Sequence, residues 1–351
     1  MNALEHELTY PLGDALPAPG RTLEIAPGVR WVRMRLPFAL DHINLWLLRD
    51  EIDGRAGWTI VDCGITDDST REAWEQVFGR ELEGLPVLRV IVTHMHPDHI
   101  GLAHWLTERW QCRMWISATD FNAATLASTA TTGFGGASAA LFMAGHGLTD
   151  PEAIEKIKAR TNYYASMVPH VPARFRRLLD RDVIRIGGHD WVCHVGYGHA
   201  PEHMSLHCAS LALLISGDMV LPRISTNVSV VDLEPEANPL PLYLASIERM
   251  RMLPADTLVL PSHGKPFRGL HQRIDQLRSH HDERFADLMA ACEGAPRSAA
   301  DLLSVLFKRK LDLHQTTFAM GESIAHLNAL WLAGRLRRDR GDDGVYRFWP
   351  A

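Results

Sequence analysis

The residues most able to do chemistry lie in one short segment, directly after an apolar stretch at positions 87–93. The segment contains three imidazoles and one carboxylate: His94, His96, Asp98 and His99. Imidazole nitrogens and carboxylate oxygens are ligands that zinc and related divalent ions accept. The period of two along a buried strand would place residues 94, 96 and 98 on one side, and the proline at position 97 would then turn the chain out of the sheet. The segment therefore predicts a metal site at the end of a strand.

The composition excludes several classes of protein. The 351 residues are 46% hydrophobic and 22% charged, which is typical of a globular chain and excludes disorder and collagen-like repeats. The formal net charge of −6 gives no reason to expect a polyanionic partner. The five scattered cysteines favour reduced thiols. Because the first residues show no secretory pattern and no apolar run reaches membrane-spanning length, we expect a cytoplasmic protein without a membrane partner.

The order of elements predicts a layered core. Strand-like and helical stretches alternate up to position 110, and further strand-like stretches lie near 182–197, 205–215 and 257–260. A helical insertion is expected at about 119–180, with one helix over 151–167. From position 268 onward the pattern predicts helices, including one over 299–307, and then a hairpin around RGDDG, an order typical of a winged helix. We therefore expect a catalytic domain at 1–267 and a winged-helix-like domain at 268–351.

The HMHPDH segment has the pattern HxHxDH, and in this it resembles the metallo-β-lactamase superfamily. Four more segments resemble motifs of that family in the expected order: IVDCG at 60–64, GHAPEH at 198–203, SGD at 216–218 and PSHG at 261–264. The resemblance implies an α+β fold, an αββα sandwich of two mixed sheets with helices outside. The helical insertion and a small C-terminal helical, winged-helix-like domain would be added to that sandwich.

The resemblance also implies a ligand set for two divalent metal ions. His94, His96 and His203 would hold the first ion, Asp98, His99 and His263 the second, and Asp218 would bridge them. Glu202 stands where the family usually has glycine, a departure that leaves the neighbouring histidine in place. Asp62 would steady a ligand histidine through a hydrogen bond. Zinc is the first choice of metal, with iron and manganese as alternatives.

This ligand set predicts a hydrolase in which a metal-bound hydroxide attacks a carbonyl carbon and Asp98 is the catalytic residue that orients it. Histidine at position 96 favours a hydrolase over the di-iron flavoproteins of the family, which have a carboxylate there. The expected substrate is a small acyl compound, a thioester or ester of the acyl-CoA or acyl-glutathione type, as in the glyoxalase-II-like and acyl-thioesterase branches. A lactone hydrolase is an alternative.

An endoribonuclease-like enzyme of the winged-helix-bearing branch is the other alternative, and charge argues against it. Residues 268–351 contain 13 basic and 11 acidic side chains, and residues 1–267 contain 23 basic and 31 acidic ones. A nucleic-acid groove would be more basic than either part. We therefore expect no nucleic-acid partner, and we expect the C-terminal domain to pair two copies of the chain as a homodimer.

Overall fold

The structure is a computed structural model that describes residues 2–38, 40–131, 133 and 135–351. The strands are β1 Thr22–Ala26, β2 Val29–Arg35, β3 His42–Ile52, β4 Arg55–Val61, β5 Val87–Ile91, β6 Arg113–Ile116, β7 Phe175–Arg177, β8 Val183–Ile186, β9 His189–Gly196, β10 His203–Cys208, β11 Leu213–Gly217, β12 Leu258–Pro261, β13 Leu336–Arg340 and β14 Tyr346–Pro350. The α-helices are α1 Asp68–Arg80, α2 Pro97–Ile100, α3 Ala103–Trp110, α4 Ala118–Thr129, α5 Gly136–Gly145, α6 Pro151–Ala159, α7 Tyr163–Met167, α8 Pro239–Arg249, α9 Leu270–Glu293, α10 Leu303–Leu306 and α11 Leu313–Leu332.

The chain forms two compact units, each built from several segments. The first unit contains Met1–Ser128, Tyr164–Thr226 and Arg249–Ile274, and the second contains Thr129–Tyr163, Asn227–Glu248 and Asp275–Ala351. Thr132 and Phe134, in the small-residue stretch of the expected insertion, lie outside the described residues. The division into domains at 1–267 and 268–351 stays a prediction.

The first unit is a sandwich of two mixed sheets. One sheet has the strand order β1-β2-β3-β4-β5-β6-β7, and the other has the order β12-β11-β10-β9-β8. In the first sheet β4, β5, β6 and β7 are parallel, and in the second β11 and β12 are parallel. The remaining pairs in both sheets are antiparallel. The expected α+β fold with two mixed sheets is confirmed.

Two apolar clusters hold the sandwich together. The first lies between the seven-stranded sheet and helices α1 and α3, and includes Trp74 and Leu106. The second joins inward-facing residues of both sheets, such as Trp46 and Trp191. Since fully buried side chains of this size each contribute about 2–3 kcal/mol through removal from water, the two clusters give the sandwich its stability.

The second unit contains most of the predicted helical tail, and its apolar core includes Leu288, Ile324 and Phe348. Helices α9, α10 and α11 precede the antiparallel hairpin of β13 and β14, which matches the expected order of elements. That these elements form a winged helix stays a prediction. Among the described residues, no helix combines the length and apolar character needed to cross a membrane.

Two helix predictions are wrong in extent. The single helix expected over 151–167 is divided into α6 and α7, because Arg160 has φ −77° and ψ 68° and leaves the helical region. The helix expected over 299–307 is reduced to α10 at Leu303–Leu306. There Ser298 and Asp301 exchange side chain-to-backbone hydrogen bonds, which form a turn where the helix was expected to begin.

A buried ion pair joins the two sheets. Arg89 on β5 and Asp50 on β3 are only 4% and 2% exposed. Arg89 donates to the same oxygen, Asp50 Oδ2, through Nε at 2.9 Å and Nη2 at 2.6 Å, and Nη2 also donates to the carbonyl oxygen of Arg185 on β8 at 2.9 Å. Thr59 adds a hydroxyl hydrogen bond of 2.6 Å to the same carboxylate. The pair therefore ties three strands of one sheet to an edge strand of the other.

We predict that Arg89→Met lowers the free energy of unfolding by about 3–5 kcal/mol, because it leaves the Asp50 carboxylate buried and unpaired. The double variant Arg89→Met/Asp50→Leu should recover most of that loss. Urea unfolding followed by circular dichroism measures both. Lys156→Met, which removes the exposed pair with Glu152, is the control and should change stability by less than about 0.5 kcal/mol. A double variant no more stable than Arg89→Met would contradict the prediction.

Candidate metal centre

The candidate ligands follow strands that end at one edge of the sandwich. Asp62 follows β4, residues 94–99 follow β5, Asp218 follows β11, and His263 lies two residues beyond β12. One detail of the sequence prediction is wrong: β5 ends at Ile91, so the period of two does not extend to residues 94, 96 and 98. Residues 97–100 instead form the short helix α2, which begins at the proline. Asp98 and His99 are therefore presented by a helical turn.

Backbone hydrogen bonds fix the strand ends to one another. Within the first sheet, the amide of Asp62 donates to the carbonyl oxygen of Ile91 at 2.8 Å. Between the sheets, the amide of Met204 donates to Thr93 at 2.8 Å, and that of Asn44 donates to Ser262 at 2.7 Å. Peptide groups adjacent to the candidate ligands therefore carry the contacts that close this edge of the sandwich.

Three histidines form the first ligand group. His94 Nε2 lies 2.9 Å from His96 Nδ1, and His199 Nε2 lies 3.1 Å from each of these two nitrogens. Burial lowers the pKa of His94 well below its usual range and lowers the pKa of His96 to about 3. Both rings are therefore neutral at physiological pH and keep a lone pair for a metal ion.

The second ligand group contains a carboxylate and two histidines. Asp98 Oδ2 lies 3.3 Å from His263 Nε2 and 3.6 Å from His99 Nε2. Burial alone would lower the pKa of His263, but the carboxylates of Asp218 and Asp98 outweigh it and raise that pKa to about 10. This concentration of negative charge around the imidazoles is the electrostatic environment that a divalent cation requires.

Asp218 lies between the two groups and directs one oxygen toward each. Its Oδ2 is 3.3 Å from His199 Nε2 in the first group. Its Oδ1 is 3.6 Å from His99 Nε2 and 3.5 Å from His263 Nε2 in the second group. Asp218 is therefore within reach of histidines from both groups.

The atoms left without hydrogen bonds test whether metal ions fit this centre. Among the described residues, His99 Nε2 and Asp218 Oδ1 are buried and have no hydrogen-bond partner. Buried polar atoms without a partner are rare in folded proteins, because each carries an uncompensated cost of removal from water. Both residues also belong to groups whose ligand atoms lie within 4.8 Å of one another: His94, His99 and Asp218 in one, and Asp98, His99 and His263 in another. The residues present therefore fit divalent metal ions.

The geometry differs from the sequence prediction at one position: His199, rather than the predicted His203, lies with His94 and His96 in a group that could hold a metal ion. In the described part of the chain, the metal-ligand groups include His199 and do not include His203. His203 Nε2 accepts a hydrogen bond from the backbone amide of Asp218 at 3.1 Å, so that nitrogen is not available to a metal. His199 lies in the turn between β9 and β10, whereas His203 is the first residue of β10 and is paired with Gly196.

His203 also packs against the peptide that precedes Asp218. Gly217 has φ +55°, a conformation that favours glycine. A Cβ atom at this position would lie 2.3 Å from His203 Nε2. The ring of His203 therefore supports the turn that presents Asp218.

Asp62 orients one histidine from each group. His99 Nδ1 donates to Asp62 Oδ2 at 2.8 Å, and the Thr93 hydroxyl donates to the same oxygen at 2.9 Å. The Thr93 oxygen then accepts from His94 Nδ1 at 3.0 Å. These bonds place the proton of each ring on Nδ1 and leave Nε2 for a metal, which is the role expected for Asp62.

The sequence analysis missed His42 and Asp120, which hold the ligand segments from outside. The carbonyl oxygen of His42 accepts from His263 Nδ1 at 2.7 Å, and the His42 ring accepts from the amide of Gly264 at 2.8 Å. Asp120 accepts hydrogen bonds from the amides of Met95 and Glu202. No motif marks either residue, and only the fold brings them to the centre.

Comparisons with known proteins agree with this geometry. A family model described as "Metallo-beta-lactamase superfamily" matches residues 39–263, and one described as "Metallo-beta-lactamase-like, C-terminal domain" matches residues 285–351. The chain is 23% identical over 307 residues to a Bacillus subtilis protein named "Probable metallo-hydrolase YqjP", a match that covers 85% of this chain and 91% of that protein.

Two solved structures are similar over nearly the whole chain. A beta-lactamase domain protein from Burkholderia ambifaria is 58% identical, with a TM-score of 0.94 and full coverage of both chains. A metallo-beta-lactamase family protein from Thermus thermophilus is 26% identical, with a TM-score of 0.74, over 93% of this chain and 100% of that chain.

The assignment of His199 can be tested by metal content. We predict that His199→Ala lowers the content from about two ions per chain to about one, because it removes a ligand of the first group. His203→Gln, the comparison variant, should keep both ions, because His203 is outside the ligand groups and the glutamine oxygen can still accept from the amide of Asp218. Elemental analysis of the purified variants measures both. The reverse pattern, with loss at position 203 only, would restore the assignment made from the sequence.

Proposed function

This chain belongs to the metallo-β-lactamase superfamily and is a metal-dependent hydrolase, and we propose that its substrate is a small thioester or ester. The observation that carries the proposal is the pair of ligand groups that share Asp218, with one carboxylate oxygen toward each group. We propose His94, His96 and His199 as ligands of the first ion, Asp98, His99 and His263 as ligands of the second, and Asp218 as the bridge. When bound, two such ions make a water molecule nucleophilic near neutral pH and polarise a carbonyl group.

Asp98 is suited to orient the attacking water. Its side chain is 18% exposed, compared with 10% for Asp218 and 1% for Asp62, so it is the most accessible of the three carboxylates. Burial raises the pKa of Asp98, but the nearby His99 and His263 outweigh burial and lower it to about 2. Asp98 is therefore ionised at neutral pH and accepts a hydrogen bond from water at its carboxylate oxygens.

The charge states of Asp98, His94 and His96 favour a leaving group that departs without a proton from these three side chains. A carboxyl group with a pKa of about 2, as in Asp98, is not a general acid at neutral pH. The rings of His94 and His96 are neutral at that pH, because burial lowers the pKa of each, so neither is a cationic proton donor. A thiolate, whose conjugate acid has a pKa of about 8.5, leaves far more readily than an amine or an alkoxide. This supports a thioester first and an activated ester second.

The same reasoning weakens the endoribonuclease alternative, since cleavage of a phosphodiester expels an alkoxide. Zinc as the resident metal, an acyl-CoA or acyl-glutathione substrate, the cytoplasmic location and the homodimer are part of the proposal. A lactone is a cyclic ester, so its hydrolysis would use the same attack on a carbonyl carbon. Lactones are therefore included among the substrates tested.

We predict the order of activity on matched substrates. With one acyl group attached to coenzyme A or glutathione, to an alcohol and to an amine, kcat/KM should fall from thioester to ester to amide. The best thioester should exceed its uncatalysed rate by more than about 10⁶-fold. A spectrophotometric thiol assay measures the thioesters, and chromatography measures the ester, amide, lactone and RNA arms.

The controls separate metal chemistry from contamination. Protein treated with a chelator and His199→Ala should both lose thioester turnover, and zinc should restore only the chelated protein. Faster cleavage of RNA or of the amide, or no turnover of any thioester or ester above the chelated protein, would contradict the proposed substrate class.

A further inference from the structure

Asp120 is a buried carboxylate that joins the two segments carrying the histidines of the first group. It is fully buried near the start of α4. Its Oδ1 accepts a hydrogen bond from the backbone amide of Met95 at 2.8 Å. Its Oδ2 accepts one from the backbone amide of Glu202 at 2.7 Å. Met95 lies between His94 and His96, and Glu202 lies three residues after His199.

Capping of helix α4 does not explain the contacts of the Asp120 carboxylate. The Ser117 hydroxyl oxygen accepts from the Asp120 amide at 3.2 Å, which satisfies one of the amides at the helix start. The hydroxyl also donates to Asp120 Oδ2 at 3.1 Å. The two shortest hydrogen bonds of the carboxylate are nevertheless those from backbone amides 25 and 82 residues distant in sequence. Burying an acid has a cost that a helix cap alone would not require.

Both backbone polar groups of Met95 form hydrogen bonds to side chains near Asp120. While its amide donates to Asp120, its carbonyl oxygen accepts a hydrogen bond from the Tyr164 hydroxyl. The segment around Glu202 has a second contact as well, because the Thr119 hydroxyl donates to Glu202 Oε2 at 2.9 Å. The residues around Asp120 therefore fix the peptides on either side of the first group.

We propose that Asp120 is a positioning residue for the first metal ion: by bridging the amides of Met95 and Glu202, its carboxylate holds His94, His96 and His199 at the separation that one ion requires. The inference rests on the metal centre of the proposed function and is independent of the substrate. It concerns the first ion, because Met95 lies directly between His94 and His96, whereas Asp98 and His99 are presented by the separate turn of α2. Loss of the carboxylate should therefore weaken one ion selectively.

Asp120→Asn tests the proposal at nearly constant volume. An amide side chain keeps one acceptor oxygen but places an NH₂ group against the other backbone amide. We expect the dissociation constant of one ion to rise about 10- to 100-fold, while that of the other ion changes less than about threefold. Competition with a zinc chelator measures both constants. The absorption spectrum of the cobalt-substituted protein should change in the band of one site only.

Two control variants distinguish positioning from a general effect on stability. Ser117→Ala removes the neighbouring hydroxyl and leaves both amide contacts, so metal affinity and the cobalt spectrum should stay at wild-type values. Tyr164→Phe removes the bond to the Met95 carbonyl oxygen and should weaken the same ion by a smaller factor. Urea unfolding of the metal-free variants reports stability separately.

The outcomes separate this inference from the proposed function. If wild-type protein binds two ions and Asp120→Asn binds both with unchanged affinity and spectrum, Asp120 is structural and the inference is wrong. If the wild-type protein binds no ion, the metal centre itself is wrong. Should Asp120→Asn fail to fold, Asp120→Ser, which also lacks the charge, is measured in the same way, and unchanged metal affinity there would overturn the inference.

Discussion

The metal centre depends on the fact that two pairs of parallel strands end at the same edge of the sandwich. β4 and β5 form one pair and β11 and β12 the other, and each strand is followed directly by residues that carry ligands or orient them. Parallel strands are linked through crossovers, so their carboxyl ends bring together positions that are far apart in sequence. Asp62 and His263, about 200 residues apart, belong to one centre for this reason.

Hydrogen bonds then fix the orientation of the histidine rings that the strand ends bring together. A histidine presents either of two nitrogens, and only a fixed proton on one makes the other a reliable ligand. Asp62 and Thr93 fix the rings of His94 and His99 in this way, and the carbonyl oxygen of His42 does the same for His263. The supporting residues come from β3, from the end of β4 and from the start of α4, so three separate elements contribute to the geometry of a few atoms.

The sequence predicted the part of this centre that is local. The spacing of His94, His96, Asp98 and His99 predicted a candidate metal site, and the apolar strands before Asp218 and His263 predicted their positions near strand ends. The choice between His199 and His203 depends on where a turn ends and β10 begins, and element boundaries carry little sequence signal. Asp120 is a single acid on an ordinary helix, and its partners are visible only after the chain has folded.

The close approach of Gly217 to the ring of His203 makes two positions depend on each other. A side chain at 217 would occupy the space of that ring, and a smaller residue at 203 would leave the amide of Asp218 without its acceptor. A side chain at 217, or loss of the acceptor at 203, would therefore disturb the turn that presents Asp218. Across related sequences, these two positions should covary, with glycine at 217 wherever 203 is histidine.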